Sequence, residues 1–91
     1  MTIDELEADW NRRGFSFGIG TIKANDAIDK AFHDDKDELV FMESGSYEFT
    51  LGDKTFTQEG NVEELIPAGT THSIKNLGGK DSKIYYGYKP K

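Results

Sequence analysis

The chain carries two histidines. His33 stands in the run FHDDKDE, residues 32–38, among Asp34, Asp35, Asp37 and Glu38, and His72 stands far along the chain in PAGTTHSIKN, residues 67–76. Imidazole beside carboxylates can bind a divalent metal, work as an acid/base pair, or form part of a solvated acidic loop. The run by itself leaves all three open. With no cysteine in the chain, disulfides and thiolate metal sites are excluded, and any metal would have to be held by nitrogen and oxygen. Other carboxylates offer less. Glu63 and Glu64 are adjacent, so they point to opposite faces of a strand and make a poor catalytic pair. Glu43 is a further acid/base alternative, Glu48 shares a face with Ser46 and Thr50 and reads as solvent-facing, and no Ser/His/Asp spacing suggests a nucleophile.

The elements that must position these residues come from 91 residues, a single domain. A chain of this size hides roughly 60–65% of its unfolded surface, enough for one core. Ten glycines, six phenylalanines and four tyrosines mix turn formers with strand formers, which indicates a folded, mostly β domain. A formal charge of −6 argues against binding to nucleic acid or anionic membrane, since both need clustered Lys and Arg. The N-terminus MTIDELEADW is not laid out as a signal peptide, and no apolar run is long enough to span a bilayer, so a cytoplasmic protein is expected.

Thr2 to Glu5 reads as a capping box, and Ile3, Leu6 and Trp10 share one helical face, which predicts a short amphipathic helix over 2–12 acting as a lid or flank. Arg12 and Arg13 suit the negative end of its dipole. From Phe15 the period becomes alternating, with Phe15, Phe17 and Ile19 on one face and Ser16, Gly18 and Gly20 on the other, the first strand. Its G-x-G lacks the third glycine and following helix of a dinucleotide fingerprint and reads as close packing or strand flexibility. After a polar stretch over 23–30, strands are expected near 31–33, 38–43, 46–51, 54–58, 62–66, 71–77 and 82–88, with a two-residue hairpin turn at Gly52-Asp53. Seven or eight strands without an intervening helix suggest a sandwich, jelly roll or barrel.

Strand parity groups Glu38, Val40 and Met42 on one face and Leu39, Phe41 and Glu43 on the other. Tyr47, Phe49 and Leu51 likewise oppose Ser46, Glu48 and Thr50, and His72 aligns with Ile74 and Asn76 on the interior side. A lone interior histidine is most often only a hydrogen-bonded core residue. Leu39 and Phe41 need cover from a second sheet or a second subunit, so a homodimer is expected.

Two segments together carry more. DELVFMESG places Glu38 before Gly45 in an E-x6-G spacing, and PAGTTHSIKN fits P-x-G-x-x-H-x-x-x-N without a gap. The pair resembles the two motifs of the cupin superfamily and, with the hairpin between them, covers residues 33–76. The resemblance implies an all-β fold, a cupin-like β-barrel or double-stranded β-helix (jelly roll) with a short N-terminal helix, as one cupin domain over 1–91 with residues 1–13 as a helical extension. Pro67, Gly69 and Gly45 would shape turns, and Asn76 would tie down backbone groups.

Such proteins usually hold a metal inside the barrel through an H-x-H pair, the glutamate of the first motif and the histidine of the second. Carried over, Glu38 and His72 fall on ligand positions. His33, five residues before Glu38, takes the slot of the second histidine, and Ala31 stands where the first would be. The implied set is His33, Glu38 and His72, with Asp35 as a fourth or outer ligand. In an unbroken strand, positions 33 and 38 face opposite ways, so residues 34–37 must turn or bulge, for which Asp is suited. Asp34 and Asp37 then read as solvated turn residues.

Two histidines and a carboxylate suit Fe(II), Mn(II), Ni(II) or Zn(II) without choosing among them. The leading reading is a small metal-binding cupin, an oxygenase or isomerase-like enzyme acting on a small polar molecule by fold analogy. The alternative is a metal-free sensor or binding module that holds a small polar ligand. In either case the pocket is expected to be lined by Met42, Tyr47, Phe49 and Tyr86.

Overall fold

Thr2 opens the helix as its sequence predicts. Its hydroxyl accepts from the Glu5 N–H at 3.1 Å, and the Glu5 carboxylate accepts from the Thr2 N–H at 2.9 Å, so two free N-terminal donors are satisfied reciprocally. The computed structural model describes residues 2–31 and 35–90, apart from the side chains of 29–31. Helix α1 (Ile3–Arg12) is followed by β1 (Gly18–Ile22), β2 (Ala27–Ala31), β3 (Lys36–Met42) and β4 (Ser46–Leu51). Then come β5 (Lys54–Glu59), β6 (Glu63–Ile66), β7 (His72–Asn76) and β8 (Ser82–Pro90).

The strands form two four-stranded antiparallel sheets, ordered β1-β8-β3-β6 and β2-β7-β4-β5. Successive strands change sheet at every step except the β4–β5 hairpin, and this alternation winds the chain as a double-stranded β-helix. The inner faces meet in one core. Ile22, Val40, Met42, Ile66 and Ile84 come from the first sheet, and Tyr47, Phe49 and Ile74 from the second.

A second apolar cluster lies on the outer face of the first sheet. Leu6 and Trp10 of α1 pack there with Phe15, Leu39 and Tyr85, against Phe17 and Phe41. The helix expected as a flank therefore builds a core of its own, because Trp10 is fully buried. Leu39 is covered by this cluster, whereas Phe41 packs against it and stays half-buried. The Trp10 indole N–H donates to Glu63 of β6 at 2.7 Å, and Arg13 meets both Glu63 oxygens at 3.1 and 3.0 Å and Asp9 at 3.0 Å. Arg13 thus pins the helix to the sheet edge, beyond any dipole role.

Two boundaries differ from expectation. β1 begins at Gly18 instead of Phe15, because the Phe15 N–H still closes the helix on the Trp10 carbonyl at 2.8 Å. β2 occupies part of the stretch read as polar loop. Its backbone pairs with β7 (Ala27↔Lys75, Ile28↔Ile74, Ala31↔His72) across an irregularity between Ile28 and Ala31. The neighbouring strand supplies the partner that local composition did not advertise.

The motif residues with expected turn roles hold them. Gly45 and Gly69 have φ of +94° and +84°, a region costly for side-chain-bearing residues. Asn76, 1% exposed, donates to the carbonyls of Ile22 (3.1 Å) and Lys80 (2.9 Å) and accepts from the Gly78 N–H (2.9 Å).

Candidate functional site

Glu38 enters the interior from β3, where it pairs in register with Ile66 of β6 and Tyr88 of β8. His72 enters from the start of β7 in the opposite sheet. Both are buried, at 6% and 3% exposure, and His72 Nε2 lies 3.2 Å from Glu38 Oε1. The two motif residues, 34 positions apart by number, therefore meet across the sandwich.

The other imidazole nitrogen fixes the tautomer. His72 Nδ1 lies 3.3 Å from the Thr70 carbonyl oxygen, which can only accept, so Nδ1 carries the proton. In the neutral ring, Nε2 then presents a lone pair to a carboxylate, and two acceptors at this distance call for a proton or a cation between them. The His72 pKa is accordingly raised from 6.5, first by the hydrogen bond to Glu38, with burial opposing and the Thr70 carbonyl and the Glu38 charge assisting. Tyr88 is raised as well, chiefly by burial and then by the Glu38 charge.

The pair also fits a metal. Nitrogen and oxygen donors bind zinc-like ions at about 2.0–2.2 Å, so two donors on one ion stand about 3 Å apart, which is the separation found. His33 and Asp34 lie outside the described residues. Asp35 is exposed in the bend before β3, and among the described residues no group of three or more His, Asp or Glu could hold a metal ion. The structure thus brings Glu38 and His72 together and does not bring Asp35 to them.

Both side chains line a cavity of about 320 Å³. Its other walls include Ile28, Ile74, Ile84, Tyr86 and Tyr88. Of the four residues named from sequence as pocket lining, Tyr86 lines it, while Met42, Tyr47 and Phe49 are fully buried in the inner core. They share the expected face, but packing closes over them: the Tyr47 hydroxyl donates to the Ser44 carbonyl, and Phe49 stacks on Phe56 at 5.7 Å. Tyr88 was legible as the next inward position after Tyr86 on one strand. Ile28 was hidden by the unforeseen β2.

Asp37 is also placed differently from its sequence reading. It lies in β3, half-buried, and its Oδ1 accepts from the Ala68 N–H at 2.8 Å in the corner leading to β7. A second cavity, of about 520 Å³, lies beside α1 and is lined by Leu6, Phe41, Glu43 and Tyr85 among others. There the Tyr85 hydroxyl donates to Glu43 at 2.5 Å, which pushes the phenol up to about 12. Among the described residues, no imidazole lines this cavity. No helix among the described residues is long and apolar enough to cross a membrane.

No protein-family model matches the chain. Polyketide synthase CurC of Streptomyces cyaneus is 22% identical over 73 residues, covering 80% of this chain and 47% of that protein. The chain thus spans about half the length of the curated relative it matches. Among solved structures, the cupin domain of Schizosaccharomyces pombe Cnp3 superposes with a TM-score of 0.78 at 22% identity, over 86% of this chain and 54% of that one. A Thermotoga maritima protein described as a predicted oxalate decarboxylase gives 0.78 at 14% identity, over 100% and 76%. Identities this low carry the fold and no more. In fold, the chain is a small cupin-type domain.

Proposed function

We propose that the chain is a metal-binding cupin whose Glu38 and His72 hold a divalent transition metal, with His33 as the third ligand, and whose adjoining cavity receives a small oxygen-bearing molecule. The observation that carries this reading is the buried 3.2 Å approach of Glu38 Oε1 and His72 Nε2 at the wall of that cavity. When bound, such an ion supplies Lewis acidity to an oxygen of the ligand. The protein's part is to hold Nδ1 protonated on Thr70 so that Nε2 stays a donor, to keep Glu38 out of water, and to orient the ligand against Tyr86 and Tyr88. An enzyme of oxygenase or isomerase type is the accompanying proposal; the similarity of fold to proteins described as a predicted oxalate decarboxylase and as oxalate oxidase supports enzymatic activity alone.

Elemental analysis of protein purified without added metal tests the reading. The unaltered chain should carry close to one equivalent, His72→Ala and Glu38→Gln should lose it, and His33→Ala should weaken it. Equal and negligible metal in all four would sink the proposal.

A second reading has its own support, because the raised pKa of His72 lets a shared proton satisfy the same pair without metal. In that case the chain is a binding module for a small polar ligand. Its melting would be insensitive to chelator, and a small acid or sugar would raise it in metal-free buffer.

A further inference from the structure

Resting on the reading of Glu38 and His72 as the binding end of the cavity, we propose that Tyr86 determines what the cavity accepts, and that its ligand is a small flat ring bearing an oxygen substituent. The argument begins with the G-x-G of β1. Gly18 pairs with Tyr86 of β8, and Gly20 with Ile84. A Cβ at Gly18 would stand 2.7 Å from both Cε2 and Cζ of Tyr86, and one at Gly20 would stand 3.6 Å from Cε1. The phenol ring therefore lies along bare backbone, closer than a side chain at position 18 would permit. The glycines are a bed for an aromatic wall of the cavity.

Tyr88 follows on the same face of β8, its ring centroid 6.2 Å from that of Tyr86, and it pairs in register with Glu38. The walls thus run from two aromatic rings to the carboxylate and imidazole, with Ile28, Ile74 and Ile84 completing the apolar part. A small aliphatic acid would use the polar end and leave the rings idle. A flat ring would use both, and a favourable aromatic pair adds about two- to tenfold in affinity beyond area burial. An apolar cavity of ~150 Å³ takes one benzene, so about 320 Å³ has room for a bicyclic ring.

Gly18→Ala is the informative change. The atoms its methyl group meets are the far end of the Tyr86 side chain, so the ring gives way, into the cavity, and the fold is kept. Tyr86→Leu removes the aromatic wall without adding bulk and carries the test should Gly18→Ala fail to fold. Calorimetric titrations would use 2-naphthol, its saturated counterpart decahydro-2-naphthol, and oxalate, each on chelator-treated protein and on protein with added Zn(II). Zn(II) uptake would be measured separately. The expected result is 2-naphthol binding about two- to tenfold tighter than the saturated analogue, weakened about tenfold by Gly18→Ala, with the preference for the flat ring gone in Tyr86→Leu. Oxalate binding without 2-naphthol binding, or 2-naphthol affinity unmoved by either variant, would overturn the proposal. Zn(II) uptake without ring binding overturns this inference alone, whereas ring binding without Zn(II) uptake supports it and removes zinc from the metal reading.

Discussion

The Asp37 carboxylate accepts the Ala68 N–H at 2.8 Å, which ties the start of β3 to the corner that delivers β7. Glu38 is the next residue after Asp37, and His72 lies four beyond Ala68, so this bond joins the two chain segments that carry the site, beside the β3–β6 pairing and the shared core. Asp37→Ala leaves a part-buried N–H without its acceptor, at a cost of about 1–3 kcal/mol. Urea unfolding should show that loss, and metal titration should show weaker binding. Asp37→Asn, which keeps an acceptor oxygen, should recover most of both. An Asp37→Ala protein indistinguishable in both measurements would return Asp37 to the solvated turn residue its sequence suggests.

The raised pKa of His72 makes two opposite pH dependences. In metal-free protein, the protonated ring on Glu38 contributes stability that is fully present below the unfolded value near 6.5 and is lost as pH rises through the higher folded value. Metal binding needs the neutral ring, so affinity should fall as pH drops through the same folded value. Thermal melts of chelator-treated protein against pH, beside a metal titration series, would show the two trends crossing. In His72→Gln both should vanish, and a titration of the His72 ring at or below 6.5 would contradict the pairing.

Trp10 is the single tryptophan and reports directly on the outer core. Trp10→Ala should cost about 3–5 kcal/mol, as large aromatic truncations in cores do. Glu63→Ala leaves the indole N–H and Arg13 without their shared carboxylate, and about 1–3 kcal/mol is expected, mostly from the indole. Glu63→Gln should fall between, since its amide oxygen can still accept from one of them. Denaturant unfolding followed by far-ultraviolet circular dichroism, which does not depend on the tryptophan, would separate these, and a Glu63→Ala midpoint equal to that of the unaltered chain would show that the helix is held by apolar contact alone.

Asn76 uses both donor hydrogens and its acceptor on backbone groups of three different residues. Asn76→Ala should therefore lose about 2–4 kcal/mol, from two or three bonds at about 1 kcal/mol each with some unpaired groups left buried. Asn76→Asp should be worse at neutral pH, because a carboxylate would face the Ile22 and Lys80 carbonyls. If the aspartate variant melts above the alanine variant at neutral pH, the orientation of the amide is wrong.

The strand periods, the hairpin at Gly52-Asp53 and the capping box of Thr2 and Glu5 could be read from the chain because each is a local pattern with a local cause. The inward parity of Glu38, Met42, Tyr47, Phe49 and His72 was likewise legible, since alternation along a strand is set by the pleat. Face alone does not say whether a side chain ends in a cavity or in packed core, and for this reason Met42, Tyr47 and Phe49 belong to the core while Tyr88 joins Tyr86 at the cavity. The β2 strand was hidden in a polar stretch, because its pairing is supplied by β7.

By itself, the sequence determined an all-β domain with an N-terminal helix, and the residue types able to bind a metal without sulfur. The tertiary structure decided which of those residues meet. His72 and Glu38 come within 3.2 Å because β3 and β7 lie in opposite sheets whose inner faces pack together. It also decided that the helix covers Leu39, and that the Tyr86 ring lies 2.7 Å from where a Cβ at Gly18 would be. These are relations between segments distant in sequence, and the spacing of residues along one strand does not encode the strand that will lie against it.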